Sequence, residues 1–226
     1  MHIAILGGTG KEGRGLAYRW TRAGHTVVIG SRSLERATAA AAELNDLVAG
    51  APAGRASDAP VSGADNPAAA AAGEVVVLAV PYEAQPPTLE AVRASLGGKV
   101  LVVTTVPIDP AARRRVRLPA AGSASAEAQQ QLGDAARVVA AFQNVAYEQL
   151  TGEEPVECDV LIAGDDAAAK ATVAGLVRDA GLRPWDIGPI ANAVVPEALT
   201  VALININVKN KVRGAGIRIT GVPPAA

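Results

Sequence analysis

The feature that most constrains this chain is a glycine-rich turn between two short apolar strands at its start. Ile3-Ala4-Ile5-Leu6 reads as a strand, and Gly7-Gly8-Thr9-Gly10-Lys11-Glu12-Gly13 follows as the turn. A helix from about Gly10 to Ala23 and a second strand, Thr26-Val27-Val28-Ile29-Gly30, come next. The turn holds G-x-G-x-x-G as Gly8, Gly10 and Gly13, which in a strand–turn–helix–strand context is a dinucleotide-binding fingerprint. The first glycine permits the tight turn. The second lets the backbone approach a pyrophosphate, and the third lets helix and strand pack closely. The helix then directs free N–H groups and its positive dipole end at the phosphates. The alternative is a glycine-rich turn used only for packing.

The end of the second strand bears on which dinucleotide is bound. An Asp or Glu there accepts hydrogen bonds from a ribose in NAD sites. Here Ser31 and Arg32 occupy the position, with Arg36 one turn later. A carboxylate would repel a 2′-phosphate, whereas a hydroxyl and two guanidiniums would bind it through charge-assisted hydrogen bonds. This favours NADP. The competing reading makes Ser31 the cap of the next helix, with solvated arginines. One hydroxyl can also serve both ends, because a cap and a phosphate meet the same helix terminus.

Downstream, strand and helix alternate. Leu34 to Val48 reads as an alanine-rich helix, followed by a loop with one short strand from Ala49 to Gly63. Ala64-Asp65-Asn66-Pro67 starts another helix, with Asp65 or Asn66 as cap. Glu74 to Val80, Val100 to Val106 and Arg137 to Phe142 are apolar runs expected of strands buried on both faces, and Ala84 to Leu96 reads as a helix. The result is an α/β fold, a Rossmann-type doubly wound parallel sheet over residues 1–146. A smaller α/β part, 147–226, has a strand at Cys158 to Ala163, a helix at Asp165 to Ala180 and a strand at Arg183 to Ile187. It ends in a long helix, Asn192 to Lys211, and a surface tail from Gly214 to Ala226. Ligands in such sheets bind at the carboxyl ends of the strands, here Gly7 to Gly13, Ser31-Arg32, Ala79 to Tyr82 and Thr105 to Pro107.

Composition narrows the function. Half of the 226 residues are hydrophobic, yet there are only one Phe, three Tyr and two Trp. Base-stacking surfaces are scarce and the net charge is −1, so neither nucleic acid nor an acidic membrane is an expected partner. The run Arg113-Arg114-Arg115 with Arg117 reads as a solvated face. A single cysteine, Cys158, is assigned to the core of an apolar strand and suits a reducing cytoplasm. The two histidines, His2 and His25, flank strands at the edge away from the expected ligand. Metal-ligand spacing is lacking, and no triad of nucleophile and base is assembled. We see no signal peptide, and the apolar stretch Ala198 to Val208 is too short for a membrane span. The last helix carries a wide stripe (Val194, Val195, Ala198, Leu199, Ala202, Leu203 and Ile206) that serves either as core or as a homodimer contact.

With these motifs placed, the chain resembles a known family, the NADPH-dependent coenzyme F420 reductases. The similar segments are Ile5-Leu6-Gly7-Gly8-Thr9-Gly10, Gly30-Ser31-Arg32, Gly63-Ala64-Asp65-Asn66, Leu78 to Glu83, Val138 to Phe142, and Gly164-Asp165-Asp166. Asp186 to Pro189 with Asn192, and Gly214-Ala215-Gly216-Ile217, are similar too. The resemblance implies hydride transfer between NADP and the deazaflavin ring of coenzyme F420. By position, it implies that Thr9, Gly10, Lys11 and Glu12 cover the pyrophosphate and that Ser31, Arg32 and Arg36 hold the 2′-phosphate. Val80 and Val106 would line the dinucleotide, Val145 and Ala146 would adjoin the nicotinamide with Gln143 and Asn144, and Ala215 would fall near the deazaflavin. Some relatives have His-Thr before a proline where this chain has Gln143-Asn144-Val145-Ala146, and Asn-Leu where it has Lys11-Glu12. No catalytic residue is assigned, because two cofactors carry the chemistry between them. The alternatives are an NADPH-dependent imine or keto-acid reductase, with Tyr82 or Tyr147 as acid, and a non-catalytic NADP sensor.

Overall fold

The two strands around the glycine turn lie side by side, second and third from one edge of the sheet. β1 (His2–Leu6) and β2 (Thr26–Ser31) pair in parallel, linked by α1 (Lys11–Arg22). The computed structural model describes residues 1–51, 59–109, 111–112, 114–152 and 154–222. Within them, α2 (Leu34–Ala49) leads to β3 (Ser62–Asp65), α3 (Asn66–Ala72) to β4 (Val75–Leu78), and α4 (Gln85–Leu96) to β5 (Lys99–Val103). Next come α5 (Ala124–Leu132), β6 (Ala136–Ala140), β7 (Asp159–Gly164), α6 (Ala167–Asp179), β8 (Arg183–Asp186) and α7 (Val194–Asn210).

The eight strands form one sheet in the order β3-β2-β1-β4-β5-β6-β7-β8. β1 to β6 are parallel, β7 runs antiparallel to β6, and β8 is parallel to β7. The strands of 147–226 therefore extend the edge of the same sheet. The chain winds outward from β1 in both directions, which puts the topological switch point between β1 and β4.

Each face of the sheet buries its own apolar layer. Ile3, Ile5, Leu16, Trp20, Leu44, Val173 and Leu176 pack on the face covered by α1, α2 and α6. Leu6, Leu78, Leu89, Leu96, Leu101 and Leu132 pack on the face covered by α3, α4 and α5. Trp20 meets Phe142 edge to face at 5.6 Å, and its indole N–H donates to the Leu176 carbonyl at 2.8 Å.

Several local readings change. Ser33, not Ser31, caps α2, accepting from the Arg36 N–H at 3.3 Å; the Ser31 hydroxyl accepts instead from the Ser33 N–H. Asp65 caps α3, as one of its two candidate caps. The strand over 74–80 stops at Leu78 and that over 100–106 stops at Val103, because the chain leaves the ladder there to enter the ligand edge. Cys158 is buried but lies one residue before β7. Helix α5 has no counterpart in the sequence reading: its core side is made of Ala124, Ala126, Ala128 and Leu132, too little apolar contrast for a period to show. The loop assigned to 49–63 falls partly on residues 52–58, outside those described; β3 begins at Ser62. Arg113 and residues 223–226 of the tail also lie outside them. Arg114, Arg115 and Arg117 are exposed, with Arg117 over the Tyr82 ring and 3.5 Å from Glu83.

Candidate active site

A cleft of about 520 Å³ opens at the carboxyl ends of β1, β4, β5 and β6, a volume in the range of a small-molecule site. One wall is the glycine turn and the strand ends: Gly10, Lys11 and Glu12, then Ala79 to Pro81, Thr104 to Val106, and Gln143 to Ala146. The opposite wall is α7 and the tail, through Thr200, Leu203, Ile204, Asn207, Arg213 and Ala215.

The turn owes its shape to backbone crowding. Gly7 has φ +78°, and a Cβ there would meet the Ala79 carbonyl oxygen at 2.5 Å. A Cβ on Gly13 would lie 2.8 Å from the Gly8 Cα, so the first turn of α1 can press against the strand only without a side chain. Gly10 and Lys11 are exposed at the head of α1, beside half-buried Thr9. Free N–H groups at this terminus suit a pyrophosphate.

Of the residues assigned from sequence, Gly10, Lys11, Glu12, Val80, Val106, Val145, Ala146 and Ala215 line this cleft. Thr9, Ser31, Arg32 and Arg36 do not. The last three stand on the β2 side of the turn, where Ser31 is buried and Arg32 and Arg36 are exposed, with no ion pair found among the described residues. Two guanidiniums beside a strand end and a helix start fit an extended ligand that leaves the cleft toward β2.

The opposite wall is pinned in place. The Thr200 hydroxyl donates to the Gln143 carbonyl at 2.7 Å, and Ala215 N–H donates to Asn207 Oδ1 at 2.9 Å. Arg19 holds the segment after Tyr147 through the carbonyls of Leu150 and Gln149, at 2.7 and 2.9 Å. Glu197 of α7 is buried and accepts from the N–H groups of Ala124 and Ser125, at 2.7 and 3.0 Å, and from the Ser125 hydroxyl at 2.8 Å. Burial pushes its carboxyl up to about 7 in spite of these donors. Behind the tail, Asp159 is fully buried and accepts from Arg183, Trp185, Arg218 and the Ile219 N–H. Burial alone would raise its carboxyl, but these donors outweigh it and hold it at about 2.

Residues lining the cleft also carry buried polar atoms that have no protein partner. Six buried side-chain atoms among the described residues lack a hydrogen bond, and three of them, Glu12 Oε1, Gln143 Oε1 and Asn144 Oδ1, belong to cleft residues. The amide orientations are set by their nitrogens: Gln143 Nε2 donates to the Val103 carbonyl at 2.9 Å and Asn144 Nδ2 to the Asp159 carbonyl at 2.7 Å. These three oxygens are shielded from solvent within residues of the cleft wall, and each keeps an unused acceptor capacity there.

Sequence reasoning did not assign Thr104, Asn207 or Arg213 to the site, and read Leu203 only as part of the apolar stripe of the last helix; all four line the cleft. The strand-end rule pointed within one residue of Thr104; nothing in the local sequence marks the α7 residues, since their role depends on where that helix folds back. The acid candidates of the alternative reductase fare differently. Tyr82 does not line the cleft, and its hydroxyl donates to Glu127 at 2.7 Å. Burial, followed by Glu127, pushes it up to about 12. Tyr147 lines the cleft, but its hydroxyl accepts from Lys11 Nζ at 3.2 Å. Among the described residues, no cluster of His, Cys, Asp and Glu could hold a metal ion.

Comparison with known proteins agrees with this architecture. Residues 2–107 match the family described as NADP oxidoreductase, coenzyme F420-dependent. The F420-dependent NADP reductase of Methanothermobacter thermautotrophicus is 43% identical over 99% of this chain and 96% of its own. That of Methanocaldococcus jannaschii is 38% identical over 98% and 99%. The crystal structure of a putative F420-dependent NADP reductase from Arthrobacter sp. FB24 superposes with a TM-score of 0.77 at 27% identity, covering 96% of this chain and 98% of that one. Near-complete coverage at such identity extends the match from the glycine turn to the tail that closes the cleft, and the chain belongs to the F420-dependent NADP reductase family.

Proposed function

We propose that this protein transfers a hydride between NADP(H) and coenzyme F420, reversibly, with NADPH and F420 giving NADP and reduced F420. The observation that carries the reading is the two-walled cleft of the family fold: a dinucleotide turn faces apolar Val80, Val106, Val145 and Ala146, and α7 with Ala215 closes the other side. Both redox groups belong to the cofactors, so the protein's tasks are to hold two rings in contact and exclude water. Thr9, Gly10, Lys11 and Glu12 are assigned to the pyrophosphate region, and Ser31, Arg32 and Arg36 to the 2′-phosphate. Val145 and Ala146 are assigned to the nicotinamide and Ala215 to the deazaflavin. This divides the work between 1–146, which binds NADP, and 147–226, which completes the deazaflavin side. The reaction needs no metal and no covalent intermediate.

We also assign the protein to the cytoplasm, without membrane or nucleic-acid partners, as a homodimer. The stretch Ile190–Asn210 has a mean hydropathy of 1.4 and enough length to cross a membrane, but Pro196, Glu197, Val201 and Leu203 are buried against the fold. Val195 and Ile206 are each about half exposed and lie on one face of α7, with Leu199 and Ala202 between them, an apolar stripe suited to a second copy.

The test is anaerobic mixing of the purified protein with NADPH and oxidised F420, followed by loss of the deazaflavin absorbance. Fast bleaching with NADPH and slow bleaching with NADH is the expected result. If NADPH binds without bleaching, the site belongs to a small-molecule reductase or a sensor.

A further inference from the structure

Glu12 is a carboxyl in the first turn of α1 that the proposed reaction does not use. It is partly open to the cleft, with Thr104 beside it, yet its Oε1 is shielded from water and has no partner. Unpaired acids are expensive to enclose, so its position calls for a compensating role.

The sheet order tells which part of a dinucleotide it would meet. The 2′-phosphate residues lie on the β2 side of β1, whereas Glu12 lines the cleft on the β4 side, with Val80 and Val106. An extended dinucleotide crossing the head of α1 must then place its nicotinamide half in the cleft that holds Glu12. That ring is neutral when reduced and carries a positive charge when oxidised. A carboxyl next to it responds oppositely to the two forms.

We propose that Glu12 is a redox-sensing specificity residue: protonated beside the reduced nicotinamide and ionised beside the oxidised one, so that it tightens NADP⁺ relative to NADPH. The inference rests on the NADP reading above and adds a side-chain role at a position previously assigned only to the pyrophosphate region. Burial pushes the Glu12 carboxyl up to about 8, which leaves it mostly neutral at pH 7 and able to ionise when a cation arrives. The other titratable groups lining the cleft are Lys11 of α1, Tyr147 and Glu148 of the segment after β6, and Arg213 of the tail. The strand ends of β4 and β5 contribute only Ala79, Val80, Pro81, Thr104, Thr105, Val106 and Ile108. Lys11 is directed to Tyr147, its Nζ 5.0 Å from the ring centre.

The test is the ratio of dissociation constants for NADP⁺ and NADPH, measured without F420 from pH 6.5 to 9.5. Titration of the 2′-phosphate cancels in the ratio because both nucleotides carry it. The ratio is expected to fall by roughly tenfold or more toward high pH, as an opposite charge at contact range shifts a carboxyl by at least a unit. In Glu12→Gln it is expected to become flat. A flat ratio in the unaltered protein overturns the proposal even if the variant does not fold, and so does a slope that persists in Glu12→Gln. Failure of both nucleotides to bind overturns the NADP reading itself, and this inference with it.

Discussion

Asp159→Asn removes the charge from the most heavily hydrogen-bonded carboxylate in the described structure while keeping its shape. The fully buried carboxylate receives Arg183 Nε at 3.1 Å and Nη2 at 2.7 Å, Trp185 Nε1 at 2.7 Å, Arg218 Nη1 at 3.1 Å and the Ile219 N–H at 2.8 Å. An amide offers one acceptor oxygen where the carboxylate offers two, and turns an N–H₂ toward donors. Breaking a buried ion pair costs about 3–5 kcal/mol. Arg183 and Arg218 are 36% and 42% exposed and can be rehydrated, so the lower end applies, about 3 kcal/mol. For a chain of this size that lowers Tm by roughly 6–12 °C. The sign with pH follows from the carboxyl being held at about 2, below its ordinary 3.8. Its contribution is complete above 3.8 and is lost as pH falls through about 2. The difference between the two proteins in urea unfolding should therefore be constant from pH 5 to 8 and shrink under strong acid. A loss below about 1 kcal/mol at pH 7 would refute the assignment of Asp159 as the anchor of β8 and the tail.

Three further outcomes are expected. Arg32→Ala should weaken NADPH by roughly 10- to 100-fold in equilibrium titration and leave NADH nearly unchanged, since a charge-assisted hydrogen bond contributes about 1.5–3 kcal/mol; equal losses would remove the 2′-phosphate assignment. Glu197 has its carboxyl raised from 4.5 to about 7, so its effect favours folding fully below 4.5 and is lost as pH rises through 7. Urea unfolding of Glu197→Gln should accordingly show a weaker decline in stability between pH 5 and 8 than the unaltered protein. Ile206→Asp, on the exposed side of α7, should shift sedimentation from dimer to monomer with the Tm little changed; an unaltered sedimentation profile would place any dimer contact elsewhere.

The legible part of the fold was the part governed by local repetition. Continuous apolar runs such as Val75–Leu78 are long enough and bounded clearly enough to declare buried parallel strands. The glycine turn is legible for a related reason: Gly7 and Gly13 answer to atoms a few residues away or on the adjoining strand. Helix α5 was not, because alanine, serine and glutamine give little contrast between its faces, and its start is held in part from outside, by Glu197 reaching from α7. The cap of α2 moved from Ser31 to Ser33 because two serines two residues apart offer the same chemistry, and only the strand's last pairing, Ser31 with Asp65, decides between them. In the site, the strand-end rule located one wall. The other wall brings Thr200 to Gln143 across 57 residues, a contact that no local pattern encodes. The wide stripe read on the last helix is only partly core: Leu203 is buried, while Val195 and Ile206 are exposed.

Hydride transfer of this kind requires the two redox rings to meet in the cleft. Single turnover of NADPH, doubly deuterated at the nicotinamide C4, with oxidised F420 in ordinary water would settle it by mass spectrometry of the product. Direct transfer predicts one deuterium in the reduced deazaflavin and one left on NADP. Reduced F420 without deuterium would mean that the hydrogen passed through solvent or a protein group, and would contradict the two-ring cleft.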